Sequence, residues 1–307
     1  MKLLEKIKKA IKNPLYLTQG IARRCCSFIK DDKLYLSIVY FAYYGKVLNW
    51  SNPKLFSEKM QWLKLYNRKP EYVIMADKIK AKEWVASIIG KEYIIPTLGV
   101  WDNVESIDFS RLPNKFVIKC NHNSGTGMCI CTNKAELDFV KVKNELKKGL
   151  NEDYYRTGRE WPYKDIPRMI IAEQFMEDKS NVGDLTDYKF FCFNGVPKFC
   201  QVIRDRSTCE TIDIYDMDWK KTPFVGLNPD CKNGKTEVPR PSKLDIMVDI
   251  CKKLAYNKPF TRVDLYVIND NIYFGELTFF PMNGWGRFTP TEWNLKIGNM
   301  LDISNNV

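Results

Sequence analysis

Apolar residues recur along the first part of the chain at intervals of three or four positions, a spacing that predicts amphipathic helices. Three segments show it, and the last of them ends at Gly90, as a helix C-cap would. They are 33–46, which is rich in aromatic residues, 52–67, with Asn52 or Ser57 near its start, and 76–90. The region from 33 to 110 is therefore predicted to be mostly helical.

After Ile94 the pattern changes to short runs of β-branched and aromatic residues, which are typical of strands. The predicted strands are 116–120, 128–132, 168–176, 188–195, 197–203, 211–216, 260–269 and 271–280, with helices over 134–151 and 242–257. Gaps of hairpin size occur at Asn194-Gly195 and Asn269-Asp270. Because a doubly wound parallel sheet needs a helix between most strands, the pattern predicts an α+β fold instead.

The composition is that of an ordinary globular protein, with 307 residues, 45% of them hydrophobic and 28% charged. This length predicts one large domain or two closely packed ones. No apolar run is long enough to span a membrane, and Met1 to Lys12 lacks the features of a signal peptide, so we predict a cytoplasmic protein. The ten cysteines have no C-x-x-C spacing and only one histidine accompanies them, which argues against a structural zinc site.

Most of the net charge of +11 lies near the N-terminus. Residues 1–30 contain eight Lys and Arg side chains against Glu5 alone, a net charge of +7, and Leu4, Ile7 and Ile11 recur at helical spacing. We predict a basic amphipathic segment over 1–32, which either lies on the anionic inner face of a membrane or docks on the body of the protein. No base-reading motif accompanies the charge, so nucleic acid is not expected as a partner.

Candidate chemistry first arises in the hairpin predicted around Asn269-Asp270. Asp264 and Glu276 lie about equally far from this turn, so their carboxylates can converge on one face of the hairpin. Converging carboxylates repel each other unless a cation lies between them, and Mg²⁺ bound with nucleotide phosphates is the usual cation. Arg262 points to the same face and can hold a phosphate or an acyl group. The alternative is an ordinary hairpin with solvated charges.

A second candidate is the loop in KCNHNSGTGM (119–128), which joins two predicted strands and contains the only histidine, His122. Its backbone N–H groups and small side chains can bind anionic oxygens, and Lys119 supplies a positive charge at its base. The alternative is a hairpin loop that binds no ligand.

Together these segments resemble the ATP-grasp superfamily. The resemblance rests on a lysine in ADKIKAK (76–82), a lysine ending FVIK (116–119), a glutamate in IIAEQFM (170–176), and the pair RVDLY (262–266) and YFGELT (273–278). The phrases NPKLFSEKMQWLKLYNRKPEY (52–72), DYKFFCFNG (187–195) and YFGELTFFP (273–281) are similar to the TupA-like branch, which is linked to cell-surface polysaccharide assembly. The resemblance spans about 36–298 and implies two α+β subdomains gripping a nucleotide, with the catalytic core over 111–307 after the helical region.

The resemblance implies ATP and Mg²⁺ as cofactors and assigns roles to individual residues. Lys78 and Lys119 would reach the nucleotide phosphates, and the loop 121–127 would be a flap over the triphosphate. Further nucleotide-binding residues would be Asn123, Ser124, Gly125 and Gly127 in the flap, Glu173 with the hinge Gln174, Phe175 and Met176 at the adenosine, and Lys189.

The remaining roles concern the reaction itself. Arg262 would lie near the acyl phosphate, Lys220 on a loop covering the substrate, and His122 near the γ-phosphate or the acceptor amine. The metal ligands would be Asp264, Glu276, Thr278 and Asn283. Thr278 departs from the Glu-x-Asn that is usual in the superfamily; its hydroxyl is a weaker ligand than an amide oxygen, and Asn283 is the candidate replacement.

The function implied is an ATP-dependent carboxylate–amine ligase, which activates a carboxylate as an acyl phosphate for attack by an amine. The branch suggests a uronic acid of a glycan or its precursor as the carboxylate and an amino acid or amino sugar as the amine. The alternatives are a glycosyltransferase that uses Asp216-Met-Asp218 as a D-x-D metal site and a non-catalytic scaffold docked on the membrane through residues 1–30.

Overall fold

The computed structural model describes Ala22 and residues 28–179, 184–227 and 232–304. Most of the predicted basic segment 1–32, including the helical pattern of residues 4–11, lies outside the described residues. The first part of the described chain is helical, as predicted. Its helices are α1 (Asp32–Tyr44), α2 (Phe56–Tyr66), α3 (Glu71–Ala76) and α4 (Lys80–Ile89).

The local sequence explains where these helices begin and end. Asp31 caps α1 by accepting the N–H of Leu34 at 2.8 Å, and α4 ends at Gly90, whose φ of 113° few other residues adopt. The predicted helix 76–90 begins four residues later than expected. Asp77 accepts the N–H of Ile79 at 2.9 Å and turns the chain, so Lys78 lies in a bend between α3 and α4.

A four-stranded sheet follows, with the order β1-β4-β2-β3. Its strands are β1 (Thr97–Trp101), β2 (Phe116–Cys120), β3 (Met128–Cys131) and β4 (Ile170–Gln174), and helix α5 (Phe139–Leu150) packs against β2 and β3. Phe116, Ile118 and Leu146 lie in its small core. Strand β1 was not predicted, because Gly99 interrupts its pattern. It pairs with β4, so the predicted helical region 33–110 contributes one strand to this sheet.

The larger sheet has five strands in the order β10-β9-β5-β6-β7. They are β5 (Asp187–Phe193), β6 (Val196–Arg204), β7 (Thr211–Asp216), β9 (Phe260–Ile268) and β10 (Asn271–Thr278), and helix α7 (Leu244–Ala255) packs against β9, β6 and β5. Short additional elements are α6 (Tyr154–Gly158), the pair β8 (Val225–Leu227) and β11 (Arg287–Thr289), and α8 (Trp293–Gly298).

Both predicted hairpins are present. Asn194-Gly195 joins β5 to β6, and Asn269-Asp270 joins β9 to β10 with φ angles of 49° and 61°. The described strands pair antiparallel in all three sheets, which confirms the predicted α+β class. Among the described residues, no helix is long and apolar enough to cross a membrane.

The N-terminal helices are attached to the large sheet through a buried lysine. Lys64 of α2 is fully buried, and its ammonium donates to the carbonyls of Gly158 and Asn283, both at 2.7 Å. The ammonium also lies 4.7 Å from the centre of the Trp285 ring. Because Asn283 and Trp285 directly follow β10, this contact orients the segment after the candidate hairpin.

Candidate active site

A cleft lies between the four-stranded sheet with its neighbouring helices and the edge of the five-stranded sheet. The bend before α4, the strands β2 and β4, and the strand β10 all reach it. Its lining residues include Lys78, Lys82, Lys119, Tyr163, Glu173, Gly275 and Glu276. The cleft therefore brings together four of the residues that the sequence singled out, from segments up to two hundred residues apart.

A β-bulge at Gly275 sets the face on which Glu276 lies. Tyr266 pairs with Tyr273 and Leu265 with Phe274, but Asp264 then pairs with Glu276, so Gly275 is an extra residue in β10. If β10 continued in regular alternation through Gly275, Glu276 would point to the opposite face of the sheet. A side chain at Gly275 would meet the ring of Tyr266 at 2.9 Å, which is why glycine fits there.

The predicted convergence of Asp264 and Glu276 is observed, and an arginine lies between them. Arg262 donates from Nε and Nη2 to the two oxygens of Asp264, both at 2.7 Å, and from Nη2 to Oε1 of Glu276 at 2.7 Å. Lys189 on the adjacent strand β5 pairs with Asp264 as well. Asp264 is 1% exposed and has both oxygens bonded, so its charge is fully compensated within the sheet.

Glu276 is the carboxylate that faces the cleft, with 41% of its side chain exposed. Burial raises its pKa, but Arg262, Lys189 and Lys78 outweigh that effect and lower the pKa to about 2. Thr278 donates its hydroxyl to Oε1 of Glu276 at 3.1 Å and lies on the same face. An ionised carboxylate beside a hydroxyl and a second carboxylate is a set of hard oxygen donors, which fits one Mg²⁺.

The contacts of Asn283 do not support its predicted place beside Thr278. Its φ is 54°, its carbonyl accepts from Lys64, and its amide oxygen packs against Gly158. The turn that contains Asn283 is thus held by the helical region rather than by the metal site. Within the described residues no cluster of three or more His, Cys, Asp or Glu side chains has the arrangement of a metal centre, so the candidate site consists of Asp264 and Glu276 with Thr278.

The opposite side of the cleft has a carboxylate held between two lysines. Lys82 of α4 and Lys119 of β2 contact the two oxygens of Glu173 at 2.5 Å each. Burial raises the pKa of Glu173, but Lys119 and Lys82 outweigh it, so the pKa lies below its usual value and the group is ionised. Lys82 was not predicted. Its position four residues after Lys78 was the available signal, because that spacing brings both lysines to the same side of the chain.

Lys78 connects the helical region to the predicted flap. Its ammonium donates to the carbonyls of Asn121, at 3.3 Å, and of Asn123. Burial lowers its pKa to about 8, since the loss of hydration outweighs the attraction of Glu276. The side chain of Asn121 is fully engaged, because it donates to Asp77 and Pro167 and accepts from Met169. The base of the loop is therefore fixed next to Lys78.

The residues of the loop 121–127 divide into a buried and an exposed group. Asn123 is buried, and its amide donates to Glu152 at 2.9 Å, so this side chain is already bonded in the structure. Gly127 is packed against Cys120 and Gly149, where a Cβ would meet Gly149 at 2.8 Å. Ser124 and Gly125 form the exposed tip, and the space around Gly125 is open. Only the tip is free to meet a ligand.

His122 does not line the cleft among the described residues. It is 2% exposed, its Nε2 lies 3.3 Å from the carbonyl of Glu152, and burial lowers its pKa. A buried neutral imidazole bonded to backbone is a packing contact, so these contacts do not support the predicted position of His122 near a γ-phosphate or an amine.

At the end of β4, the predicted hinge leads out of the cleft. Gln174 donates its backbone N–H to the carbonyl of Pro96 at 3.0 Å. The side chains of Phe175 and Met176 are partly exposed, and Lys115 lies 5.9 Å from the ring centre of Phe175. An exposed aromatic ring at the rim of the cleft is consistent with stacking on a planar base, which remains a prediction.

Lys220 and the D-x-D motif lie elsewhere. They follow β7 at the far edge of the large sheet, three strands from β9 and roughly 14 Å away at the usual strand spacing. Asp216 accepts the N–H groups of Asp218 at 3.0 Å and Lys220 at 2.8 Å, so its carboxylate closes a tight turn. Local turn geometry explains this acidic pair, and the structure does not bring Lys220 to the cleft.

The cleft lies between two antiparallel α+β units, and lysines, an arginine and carboxylates from these units surround it. This arrangement defines the class as an ATP-grasp protein. The family model described as TupA-like ATPgrasp matches residues 58–302, more than half of the chain. The chain belongs to the TupA-like ATP-grasp family. Comparison with curated protein sequences finds no match.

Solved structures with a similar arrangement include D-alanine–D-alanine ligase from Bacillus anthracis complexed with ATP, with 16% identity and a TM-score of 0.44 over 74% of this chain and 63% of that chain. D-alanine–D-alanine ligase from Helicobacter pylori is 14% identical, with a TM-score of 0.41 over 80% of this chain and 69% of that one. A RimK domain ATP-grasp protein from Sphaerobacter thermophilus is 9% identical, with a TM-score of 0.40 over 77% and 70%. This chain thus spans less than two thirds of the Bacillus anthracis ligase.

Proposed function

We propose that the protein is an ATP-dependent carboxylate–amine ligase of cell-surface polysaccharide biosynthesis. One observation carries the proposal: Lys78, Lys82 and Lys119 lie across one cleft from the cluster of Arg262, Asp264 and Glu276. Membership of the TupA-like ATP-grasp family supports the nucleotide as ATP. The ligases among the similar structures act on substrates of their own, and the substrates here are part of the proposal.

The charges of the cleft suit a nucleoside triphosphate with one Mg²⁺. The five cations Lys78, Lys82, Lys119, Lys189 and Arg262 face the three carboxylates Glu173, Asp264 and Glu276, and Arg206 balances the neighbouring Asp187, which leaves a net charge of +2. A triphosphate carries about four negative charges, so its complex with one Mg²⁺ carries about two. Lys78 and Lys119 would hold the phosphates, and Glu276 with Thr278 would hold the cation; Asp264 would join them where Arg262 turns to the phosphoryl group and frees one of its oxygens. A bound Mg²⁺ neutralises charge on the phosphoryl group.

The reaction proposed has two steps. An oxygen of the substrate carboxylate attacks the γ-phosphorus, and the bond from the γ-phosphorus to the bridging oxygen breaks. ADP leaves, and the carboxylate has become an acyl phosphate. An amine then attacks the acyl carbon, phosphate leaves, and an amide forms with loss of a proton. Arg262, at the junction of the two carboxylates, would stabilise the acyl phosphate, and the loop 121–127 would exclude water.

The carboxylate proposed is a uronic acid of a glycan or its precursor, and the amine is an amino acid or amino sugar. A cleft with net positive charge favours an acidic sugar. The protein would act at the cytoplasmic side of the membrane. The contacts of Asp216 give no support to the glycosyltransferase alternative, because its carboxylate is used in a turn.

The test is ADP release measured against a panel of uronic acids crossed with amino acids and amino sugars, with the Glu276→Gln variant as the matched control. ADP formation that requires both a carboxylate and an amine, and that the variant lacks, is the expected result. Thermal stabilisation by a UDP- or GDP-sugar instead of ATP with Mg²⁺ would favour a transferase, and stabilisation by neither would favour a scaffold.

A further inference from the structure

The outward face of helix α1 is apolar, although it is exposed. Leu34, Ile38 and Phe41 follow one another at intervals of four and three residues and therefore form one stripe, with Leu34 53% and Phe41 55% exposed. Phe28 before the helix and Val47 after it are exposed as well, Val47 at 82%. The outer face of a solvated helix is normally polar, and a contiguous exposed apolar patch marks an interaction surface.

The charges around this stripe have one sign. Lys30, Lys33 and Lys46 are exposed at its two ends. The acidic residues at the same end are engaged elsewhere: Asp31 caps the helix, and Asp32 pairs with Arg68 at 2.7 Å and accepts from Tyr155 at 2.6 Å. Residues 1–30, which end at Lys30, carry a net charge of +7 in all. A second copy of the chain would place these cations against one another, whereas an anionic partner would neutralise them.

The inward face of α1 packs on the segment that follows β10. The rings of Tyr43 and Trp285 stack with their centres 5.3 Å apart, and Tyr40 lies 6.4 Å from Trp285. Trp285 comes directly after the turn 281–284, which itself follows Glu276 and Thr278. One helix, about 10 Å across, thus separates the outer stripe from this segment.

We propose that the outer face of α1 docks on an anionic lipid surface, with Leu34, Ile38 and Phe41 entering the interface and the surrounding lysines facing the headgroups. Apolar area and attraction to anionic headgroups are the two contributions that bind an interfacial helix. This surface goes beyond the proposed ligase activity. Where the inference rests on that activity, it implies that the carboxylate substrate is linked to a lipid, because docking holds the segment after β10 close to the membrane.

The experiment is sedimentation of the full chain with vesicles of phosphatidylcholine, with and without phosphatidylglycerol, in the absence of nucleotide. Binding is expected only to the anionic vesicles and is expected to weaken as salt rises. Phe41→Glu should weaken it on the order of tenfold, because a half-exposed aromatic side chain no longer enters the interface. Ile246→Glu is the matched control: Ile246 is 48% exposed on α7, away from the stripe, and its substitution should leave vesicle binding unchanged.

Three results would overturn the proposal. They are equal binding to neutral and anionic vesicles, equal binding by Phe41→Glu and Ile246→Glu, and a native dimer in light scattering that Phe41→Glu converts to a monomer. Phe41→Ser removes apolar area without adding charge and decides the case if the glutamate variant does not fold. Since vesicle binding is measured without ATP, its failure leaves the ligase proposal intact, and failure of ADP release leaves the docking surface intact.

Discussion

Replacing Lys119 by methionine separates the nucleotide-binding role of this lysine from its structural one. Its ammonium contacts Glu173 at 2.5 Å with 23% of the side chain exposed, and Lys82 contacts the other oxygen of Glu173 at the same distance. Because Lys82 still compensates Glu173 in the variant, we expect the free energy of unfolding to fall by only about 1 kcal/mol.

The effect on nucleotide binding is expected to be larger. A charge-assisted contact to phosphate contributes about 2 kcal/mol, so Kd should rise by about 30-fold. At an ATP concentration of about 100 times the native Kd, ligand binding stabilises the protein by about 2.7 kcal/mol; the same concentration stabilises the variant by only about 0.9 kcal/mol. For a chain of this size the rise in Tm would fall from about 5 °C to about 2 °C.

The assay is thermal unfolding with and without ATP and Mg²⁺, supported by calorimetric titration with a non-hydrolysable analogue. Lys147→Met is the matched control, because Lys147 is ion-paired with Glu105 on the surface of α5 and does not line the cleft. If Lys119→Met keeps the full native rise in Tm, as the control should, the assignment of Lys119 to the phosphates is wrong.

Three further predictions concern the groups around Lys119. Glu276→Gln should weaken Mn²⁺ binding in the presence of the analogue by about tenfold or more, measured by paramagnetic titration; an unchanged Mn²⁺ affinity would remove Glu276 from the metal site. Nucleotide affinity should decline as pH rises above about 8, because Lys78 has a pKa of about 8 and only its protonated form attracts phosphate. Titration calorimetry at pH 7 and pH 9 measures the nucleotide Kd on either side of this pKa. In Lys78→Met, the two Kd values should differ less than in the native protein. Burial is the main cause that raises the pKa of Glu160 to about 7, so the folded protein keeps a proton that the unfolded chain loses near pH 4.5. The free energy of unfolding should therefore fall as pH rises from about 4.5 to about 7. Glu160→Gln should remove up to about 3 kcal/mol of that fall, measured by urea unfolding at pH 5 and pH 8.

The elements that were predicted correctly are those that a pattern of neighbouring residues defines. Strand β7 (Thr211–Asp216) and strand β2 (Phe116–Cys120) have the predicted bounds, since a run rich in β-branched and aromatic residues defines each. Strands β8 and β11 were missed because each has three residues, and their pairing joins segments about sixty residues apart. No local pattern signals a partner so distant in the chain.

The candidate site was predicted in part for a similar reason. Asp264, Glu276 and Arg262 flank one short turn, so counting residues places them together. Lys82 was missed because its role depends on Glu173, which lies ninety-one residues away. The burial of His122 could not be predicted, because a polar residue in a loop carries no sign of its burial; in the fold, the loop before α6 covers it.

The bulge at Gly275 has a consequence for how this hairpin can change in evolution or design. Beyond Gly275, the residues that face the cleft switch from odd to even positions, because the bulge takes up the one extra residue. Deletion of Gly275 would remove the bulge and leave Glu276 paired with Asp264 in regular alternation, whereas loss of two residues between the turn and Glu276 would exchange the cleft-facing and core-facing residues at the end of β10. A protein engineer who transplants the Glu-x-Thr motif to another hairpin must therefore keep the extra residue and the bulge together or omit both, and the spacing between the aspartate and the glutamate is itself a marker of the bulge in any chain being compared.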